Sequence, residues 1–517
     1  MALLNDTSIS ASTLEKIPTP DAPALLSEEY VTRTMPPIVG TFDLTSTFVL
    51  IIFFITNVTS AIQGGMGTFT FWIVGGLTFF LPCVIVTAQL GHLFPHEGSL
   101  YNWTHRVLGG YWSFFVAFCA WFPCILLMIT AADVVVNYLQ NLYPALLAQP
   151  WQQGLLLVLL LAFSGIIARQ RLRLVLNLVN MTLIVTFLAV FLVGIAGLIW
   201  LLAGHAPAVS FHTPADWGWV WNPSGAQGYS TLALFAFITQ SYLGIEVPLN
   251  MGGEISNHRV VTRHLGRGTL LVVVGYFIAT FGVLMVQGTA ATGNPFALVQ
   301  TVQKVLGPVG GAIIAILVMC NFVITPAVYN YSYARLLLVG GIDQRLPVGI
   351  SRLNKHRVPV RAIDFQTIVA IVLAAIIYII VPLMTTAVNA ATLNSDVYNV
   401  VISASTLVWA ISTAFLFINF VKFYSKDSQA LKSRLIFPLP LLWACTVLGI
   451  ISCGASIVGA LLYSLIPQQL DNTHWLLLVG GITLVCLVIA AVGAMFASSE
   501  AGWQDIRDLS ADKHDAA

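Results

Sequence analysis

The chain has 517 residues, of which 58% are hydrophobic and only 8% are charged. Soluble globular proteins carry about 25% charged residues, so this composition excludes an ordinary soluble domain and indicates a membrane protein. The 22 Lys and Arg residues nearly balance the 21 Asp and Glu residues, which leaves a net charge of +1. Because such a balance gives no electrostatic attraction to polyanions, we expect no nucleic-acid partner.

Long charge-free segments predict the membrane spans, because a helix needs about 20 apolar residues to cross roughly 30 Å of hydrocarbon. With polar residues, Gly and Pro as boundaries, they predict an all-α polytopic membrane protein with twelve transmembrane helices. Spans 1 to 12 are placed in chain order near 44–66, 68–93, 111–140, 152–168, 173–203, 229–252, 266–288, 308–340, 361–382, 397–422, 435–463 and 475–498.

The distribution of basic residues predicts the orientation, since cytoplasmic loops are enriched in Lys and Arg. With both termini cytoplasmic, Lys304 is the only basic residue in an outer segment. Residues 1–40 are rich in Ser, Thr, Pro and acids, which predicts a disordered cytoplasmic tail, and 499–517 are expected to form a second cytoplasmic tail. The sequence thus predicts a multi-pass protein of the plasma or inner membrane, embedded in the lipid bilayer, and leaves its oligomeric state open.

Two polar patches suggest an internal repeat. Residues 44–203 hold spans 1 to 5 and residues 229–422 hold spans 6 to 10, while 435–498 add two C-terminal helices. Halves with an odd number of spans must insert in opposite orientations, which makes a 5+5 inverted repeat. Span 1 meets a polar, poorly helical patch from Asn57 onward, and span 6 meets one at 239–246 at a similar depth. We therefore predict that helices 1 and 6 are discontinuous.

A helix broken inside hydrocarbon implies a cavity, because each unpaired backbone group there costs several kcal/mol unless water, protein or a ligand meets it. Free N–H groups suit a carboxylate, and free carbonyl groups suit an ammonium or a metal cation. One zwitterion satisfies both kinds of group. The alternative is that each Ser, Thr and Gly patch is only a close-packing face between helices.

Three stretches resemble the amino acid, polyamine and organocation transporter superfamily, which has the leucine-transporter fold. Residues 88–103 are similar to its alanine-glutamate-leucine, phenylalanine-proline, glycine-glycine and tyrosine pattern, with Gln89 and Ser99 in place of the usual Glu and second Gly. Residues 241–257 resemble its glycine-phenylalanine-glutamate break and the glutamate and asparagine that follow it. Residues 333–359 resemble its alanine-arginine loop signature. The three stretches occur in order at the expected spacing.

The resemblance implies a substrate site and a transport cycle. It places the helix 1 break at 58–62, a substrate carboxylate on the N–H groups around Thr59, Ser60 and Ala61, and an amine on carbonyl groups of helices 1 and 6. Spans 1, 2, 6 and 7 would rock against spans 3 to 5 and 8 to 10. The predicted substrate-binding residues are Asn57, Val58, Thr59, Ser60, Ala61, Phe237, Ser241, Tyr242, Gly244, Trp121 and Asn321.

Four residues are predicted to couple or gate transport, each with an alternative. Glu246 is a protonatable coupling site or a cap of the helix 6 break. Glu254 is an inner gate that pairs with an Arg of 259–267, or a solvated acid. Phe235 is an aromatic lid or part of the helix core, and Thr325 lies near a sodium site or is a packing residue. Coupling to H⁺ or Na⁺, exchange and uniport all stay open.

The predicted function is secondary active transport of amino acids or closely related amines by alternating access. A non-transporting sensor or channel of the same fold is the alternative. An intramembrane enzyme would need paired carboxylates or a Ser/His set facing one cavity, and the sequence offers only isolated acids. The ten His residues form no HxxxH or HExxH pattern, so we predict no metal site, no cofactor and no catalytic residue.

Overall fold

A computed structural model describes residues 25–143, 145–147, 149–222, 229–257, 259–380, 390–464 and 470–515. The secondary structure of these residues is helical, apart from an isolated bridge between Val39 and Ile255. The α-helices are α1 (Leu26–Thr34), α2 (Thr41–Ile52), α3 (Asn57–Ala61), α4 (Gly67–Leu93), α5 (Ser99–Leu108), α6 (Gly110–Leu142), α7 (Pro150–Ala168), α8 (Leu172–Leu202), α9 (Thr231–Gln240), α10 (Arg259–Val286), α11 (Ala297–Ile342), α12 (Val360–Ile380), α13 (Ala390–Lys426), α14 (Ser428–Ser433), α15 (Leu439–Leu462) and α16 (Asn472–Asp515).

Ten helices in the described part of the chain are long and apolar enough to cross a membrane. The number rises to eleven if the bent pair Thr41–Ile52 and Asn57–Gly64 is counted as one span. These helices confirm the prediction of an all-α polytopic membrane protein. Helix α9 has 10 residues and is too short to cross alone. We propose that it forms the twelfth span together with the 3-10 helix Val247–Glu254, and the inverted repeat also stays a prediction.

Two features differ from the predicted boundaries. The predicted spans 2 and 3 leave residues 94–110 as a connecting segment. In the structure this segment contains the helix α5. Helix α11 begins at Ala297, eleven residues before the predicted start at 308, and turns at Gly307, where φ is +73°. Gly307 and Pro308 mark the predicted start of this span. In the structure Gly307 only turns the helix, because glycine tolerates the left-handed conformation, and the helix resumes after it.

Both predicted tails contain helix in their described parts. Residues 1–24 and 516–517 lie outside the described residues. Within the segment predicted to be disordered, α1 is helical because Val31 and Met35 pack against Leu338 of α11. Helix α16 runs through the predicted C-terminal tail as far as Asp515. The prediction of a disordered N-terminal tail is therefore wrong for α1.

Close packing of long helices holds the two broken helices in place. Helix α11 packs on α6 and α8, and α10 packs on α8 and α2. At the crossing of α8 and α10, a Cβ atom on Gly282 would lie 2.2 Å from the carbonyl oxygen of Val193. Only glycine permits this approach, as in other membrane helix pairs with small residues at the interface.

Candidate functional site

The first break lies between α2 and α3, whose axes meet at 43°. Helix α2 ends at Ile52. The backbone N–H groups of Ile55 and Thr56 donate to no acceptor in the described residues. The N–H of Thr59 bonds to the carbonyl oxygen of Thr56 at 3.0 Å and belongs to the start of α3. The predicted register at 58–62 is therefore wrong, because the break lies at 53–56. The polar patch begins the outer half-helix, and the apolar residues Phe53 to Ile55 gave no breaking signal.

The second break follows α9, which ends at Gln240, and the chain resumes as the 3-10 helix Val247–Glu254. This position agrees with the break predicted at 239–246. Gly244 has φ +104°, and a Cβ atom there would lie 2.8 Å from Ile51 and 3.0 Å from the indole of Trp409. Glycine is required for both the conformation and the space.

Two tyrosines hold the carbonyl groups that the breaks release. The hydroxyl of Tyr276 lies 3.0 Å from the carbonyl oxygen of Ile52 and 3.3 Å from that of Ser241, so it joins the two breaks. The hydroxyl of Tyr329 donates to the carbonyl oxygen of Ile51 at 2.5 Å. The sequence analysis missed both residues. A lone tyrosine in an apolar helix needs a partner for its hydroxyl, but nothing in the chain names that partner.

The breaks face a common cavity of about 100 Å³. Its walls combine aromatic, aliphatic and neutral polar side chains, with no charged side chain among them. The lining residues are Ile51, Ile52, Phe54, Thr56, Asn57, Leu127, Thr130, Phe237, Gln240, Ser241, Leu243, Tyr329, Ile402, Ser403, Thr406 and Trp409. The contribution of α13, from Ile402 to Trp409, was missed, although the small polar run 403–406 in an apolar span was a signal for it.

The structure brings some predicted substrate residues to this cavity and leaves others away from it. Asn57, Phe237 and Ser241 line it. The predicted substrate-binding residues that do not line it are Val58, Thr59, Ser60, Ala61, Tyr242, Gly244, Trp121 and Asn321. The predicted gating residues Phe235 and Thr325 do not line it either.

These other residues have packing partners. Tyr242 donates its hydroxyl proton to the carbonyl oxygen of Trp72 at 3.2 Å. Phe235 is half-buried against the core.

Three predicted scaffold residues, Trp121, Asn321 and Thr325, make hydrogen bonds outside the cavity lining. The indole N–H of Trp121 donates to Gln366 at 3.2 Å, and Gln366 in turn donates to Asn330. The hydroxyl of Thr325 donates to the carbonyl oxygen of Asn321 at 2.9 Å. These contacts occupy the polar atoms within the helices behind the cavity.

Glu246 lies behind the cavity wall rather than in it. Its side chain is only 2% exposed, and its Oε1 accepts the indole N–H of Trp409 at 3.2 Å. Its Oε2 has no hydrogen-bond partner in the described residues. Glu246 also lines a void of about 10 Å³ with Asn250, Ser99 and Tyr333. Trp409 therefore connects the main cavity with a buried acid.

A buried ion pair lies at the end of the helix bundle where α1 packs. Nη2 of Arg335 lies 3.2 Å and 3.3 Å from the two carboxylate oxygens of Glu254, and both side chains are 1% exposed. The two expectations for Glu254, a partner within 259–267 or a solvated acid, are both wrong. The fold brings α11 next to Val247–Glu254 and supplies an arginine from the loop signature at 333–359.

A second acid lies beside this ion pair. Glu97 is 2% exposed, and its Oε2 accepts the backbone N–H of Gly253 at 2.8 Å. Its Oε1 has no hydrogen-bond partner in the described residues. Burial, and secondarily the negative charge of Glu254, raise the pKa of Glu97 well above its usual range. The neutral, protonated form of Glu97 is therefore favoured next to the pair of Glu254 and Arg335.

Helix α1 packs next to this cluster, against Val247–Glu254 and α11. Glu28 accepts hydrogen bonds from Arg106 at 2.5 Å and from Asn102 at 2.8 Å. The N–H and hydroxyl of Ser27 donate to the carboxylate of Asp343 at 2.9 Å and 3.0 Å. The N-terminal helix thus ties α5 to the end of α11.

Comparison with known proteins places this geometry among transporters. A family model described as amino acid permease matches residues 39–485. An uncharacterized transporter of Legionella pneumophila is 23% identical over 440 residues, which cover 82% of this chain and 89% of that protein. The inner membrane transporter YjeM of Escherichia coli is 26% identical over 274 residues, or 47% of this chain and 52% of that protein.

Solved structures show the same fold. The crystal structure of a mutant of the Eremococcus coleocola manganese transporter matches with a TM-score of 0.57 at 13% sequence identity, and the match covers 94% of this chain and 99% of that one. A complex of the same transporter with an aromatic bis-isothiourea compound matches with a TM-score of 0.54. At such low identity these matches confirm the expected leucine-transporter fold and carry no information about substrate.

Proposed function

Because the chain belongs to the amino acid permease family, we propose that it is a secondary transporter that carries amino acids or closely related amines by alternating access. The observation that carries this proposal is the cavity between the two helix breaks. Backbone N–H groups that have no partner in the described residues meet neutral side chains there, and inside a membrane lipid offers them no partner. A zwitterionic substrate is the kind of molecule that satisfies such groups.

The geometry supports a revised binding mode. We place the substrate carboxylate on the free N–H of Thr56 and the side-chain amide of Asn57, both in the cavity wall. The ammonium lies toward the carbonyl groups of Ile52 and Ser241, which share the hydroxyl of Tyr276. Each group of the substrate thus meets backbone dipoles of the matching sign. This mode replaces the predicted carboxylate site on Thr59, Ser60 and Ala61.

Alternating access requires contacts that form on one side and break on the other. On the cytoplasmic side α2 is tied to α8 by Asp43 and Arg173 at 3.2 Å, and to α11 by Thr47 and Tyr331 at 2.6 Å. The pair of Glu254 and Arg335 adds a third tie. Inward opening in this proposal separates α2 and Val247–Glu254 from α8 and α11, which breaks all three ties.

Glu246 supports a proposal about coupling. A carboxylate in the membrane interior costs at least about 2.5 kcal/mol when its charge is not compensated. Glu246 accepts the indole N–H of Trp409 with one oxygen, and its second oxygen has no partner in the described residues. We propose that it takes up a proton during the cycle. The cap of the break remains the alternative role.

Uptake into proteoliposomes tests the transport proposal. We expect saturable uptake of at least one labelled amino acid, and loss of uptake in Gly244→Leu, because the new side chain would collide with Ile51 and Trp409. Gly454→Leu is the matched control, since a Cβ atom at this exposed glycine of α15 meets nothing within 4 Å. Uptake that does not saturate would favour the channel. Full uptake by Gly244→Leu would reject the site.

A further inference from the structure

The cavity wall is uncharged, and the acids Glu246 and Asp133 are not among its lining residues. Glu246 is bound to the indole of Trp409 and lies outside the lining residues. Asp133, one turn beyond Thr130 on α6, is 9% exposed and accepts a hydrogen bond from Asn137 at 2.8 Å. A substrate side chain with a net charge would therefore lose its hydration without meeting an opposite charge, which is strongly unfavourable.

The composition of the wall also disfavours a divalent cation. Such ions prefer carboxylate ligands, and the cavity offers none. Across the described residues, no group of three His, Cys, Asp or Glu side chains is arranged to hold a metal ion. A volume of about 100 Å³ is well below that of pockets for drug-sized ligands, so the site suits a small molecule.

Gln240, in the cavity wall, has a side-chain amide of which only the oxygen has a hydrogen-bond partner in the described residues. Oε1 of Gln240 accepts the hydroxyl of Thr406 at 2.9 Å, which fixes the amide plane between α9 and α13. Nε2 of Gln240 is buried and has no hydrogen-bond partner in the described residues. An unpaired buried amide group is costly unless a ligand completes it. Both Gln240 and Thr406 line the cavity, so a substrate side chain can reach them.

We propose that this site selects small amino acids whose side chain is an uncharged hydroxyl or carboxamide, and that Gln240 recognises that group. The inference rests on the proposed function and adds the substrate class. A hydroxyl or carboxamide offers both a donor and an acceptor to the amide of Gln240. Leu127 and Ile402 line the same cavity with aliphatic surface, which suits the short carbon chain of such an amino acid.

Competition for uptake tests the substrate class in the wild-type protein. The uptake of labelled serine is measured in the presence of an excess of one unlabelled competitor. The competitors are serine, threonine, asparagine, alanine, lysine, glutamate, putrescine and Mn²⁺. We expect threonine and asparagine to compete strongly, alanine more weakly, and the four charged compounds not at all. Competition by lysine, glutamate, putrescine or Mn²⁺ equal to that of threonine would overturn the proposal.

Two variants test the role of Gln240. Gln240→Leu should reduce the preference for serine over alanine by roughly tenfold, the scale of one net hydrogen bond. Gln240→Glu should allow lysine to compete. Gln170 is exposed, and its amide donates to the carbonyl oxygen of Ile166. Gln170→Leu is therefore the control and should change neither the preference for serine over alanine nor the competition by lysine.

The outcomes separate this inference from the proposed function. If the wild-type protein takes up none of the amino acids, the proposed function fails. If uptake is saturable but the serine preference is the same in wild type and Gln240→Leu, with both proteins monodisperse and equally stable, only the role of Gln240 fails.

Discussion

The buried cluster of Arg335, Glu254 and Glu97 permits a quantitative test of the structure. At 3.2 Å and an effective dielectric constant of about 20, the attraction between Arg335 and Glu254 is about 5 kcal/mol. The cost of burying both charges opposes it, and removal of one partner from a buried pair costs about 3–5 kcal/mol when the other charge stays unpaired. In this protein Glu97 is positioned to reduce that cost.

We expect a specific pattern from glutamine variants. Glu97→Gln should change the free energy of unfolding by less than about 1 kcal/mol, because a protonated carboxyl and an amide have similar shape and charge. Glu254→Gln should cost only about 1–2 kcal/mol, because Glu97 then ionises and pairs with Arg335. The double variant leaves Arg335 unpaired and should cost about 3–5 kcal/mol. The coupling energy between the two positions is therefore about 1–3 kcal/mol.

The free energies can be measured by unfolding in mixed micelles with increasing SDS, followed by tryptophan fluorescence. Glu29→Gln removes an exposed Glu29–Arg33 pair and serves as the control, since exposed ion pairs contribute little. Additive costs of the two substitutions, or a Glu97→Gln cost as large as that of Glu254→Gln, would refute the reasoning. Additive costs would mean that Glu97 does not ionise in response to the loss of Glu254. Equal costs would mean that Glu97 is already ionised next to Arg335.

Three further predictions concern coupling, pH and the breaks. Glu246→Gln should abolish the pH dependence of uptake in proteoliposomes, and an unchanged pH profile would exclude the coupling role. His105 lies in α5 outside the spans, where burial and the positive charge of Arg345 lower its pKa to about 4. Between pH 6.5 and about 4 the unfolded chain binds a proton at this position that the folded chain does not, so His105 makes stability fall as the pH falls. His105→Gln should therefore flatten the decrease of melting temperature from pH 7 to pH 5, and a parallel decrease in both proteins would contradict the assignment. Tyr276→Phe leaves the carbonyl groups of both breaks without its hydroxyl and should lower the free energy of unfolding by about 1–3 kcal/mol in the same SDS assay. Tyr143→Phe, at an exposed hydroxyl, should leave it unchanged, and equal effects of the two substitutions would show that Tyr276 does not support the breaks.

The sequence alone determined the class of protein, most of the spans and the location of the second break. These features depend on local composition: the length of apolar segments, the position of charges, and Gly244 with Pro248 in an otherwise helical segment. The resemblance of residues 88–103, 241–257 and 333–359 to one superfamily was enough to predict the fold. The family match over residues 39–485 confirms it.

The register of the first break could not be obtained in the same way. Residues 53–55 are apolar, and the break at 53–56 contains neither Gly nor Pro, so its local preference does not strongly oppose a helix. The chain can leave the helix there because the hydroxyl groups of Tyr276 and Tyr329 donate hydrogen bonds to the carbonyl oxygens of Ile52 and Ile51. Both tyrosines lie more than two hundred residues away in the chain. Such long-range partners are set by the packing of α10 and α11 against α2.

Only the tertiary structure decided which residues surround the cavity and which arginine pairs with Glu254. The α13 wall and the pairing of Glu254 with Arg335 join residues that are 81 or more positions apart in the chain. Helical periodicity shows which residues share a face, but it does not show which other helix that face meets. The arrangement of helices buries Glu97 beside an ion pair, and burial together with the charge of Glu254 raises the pKa of Glu97. The same arrangement decides that an uncharged wall surrounds the cavity.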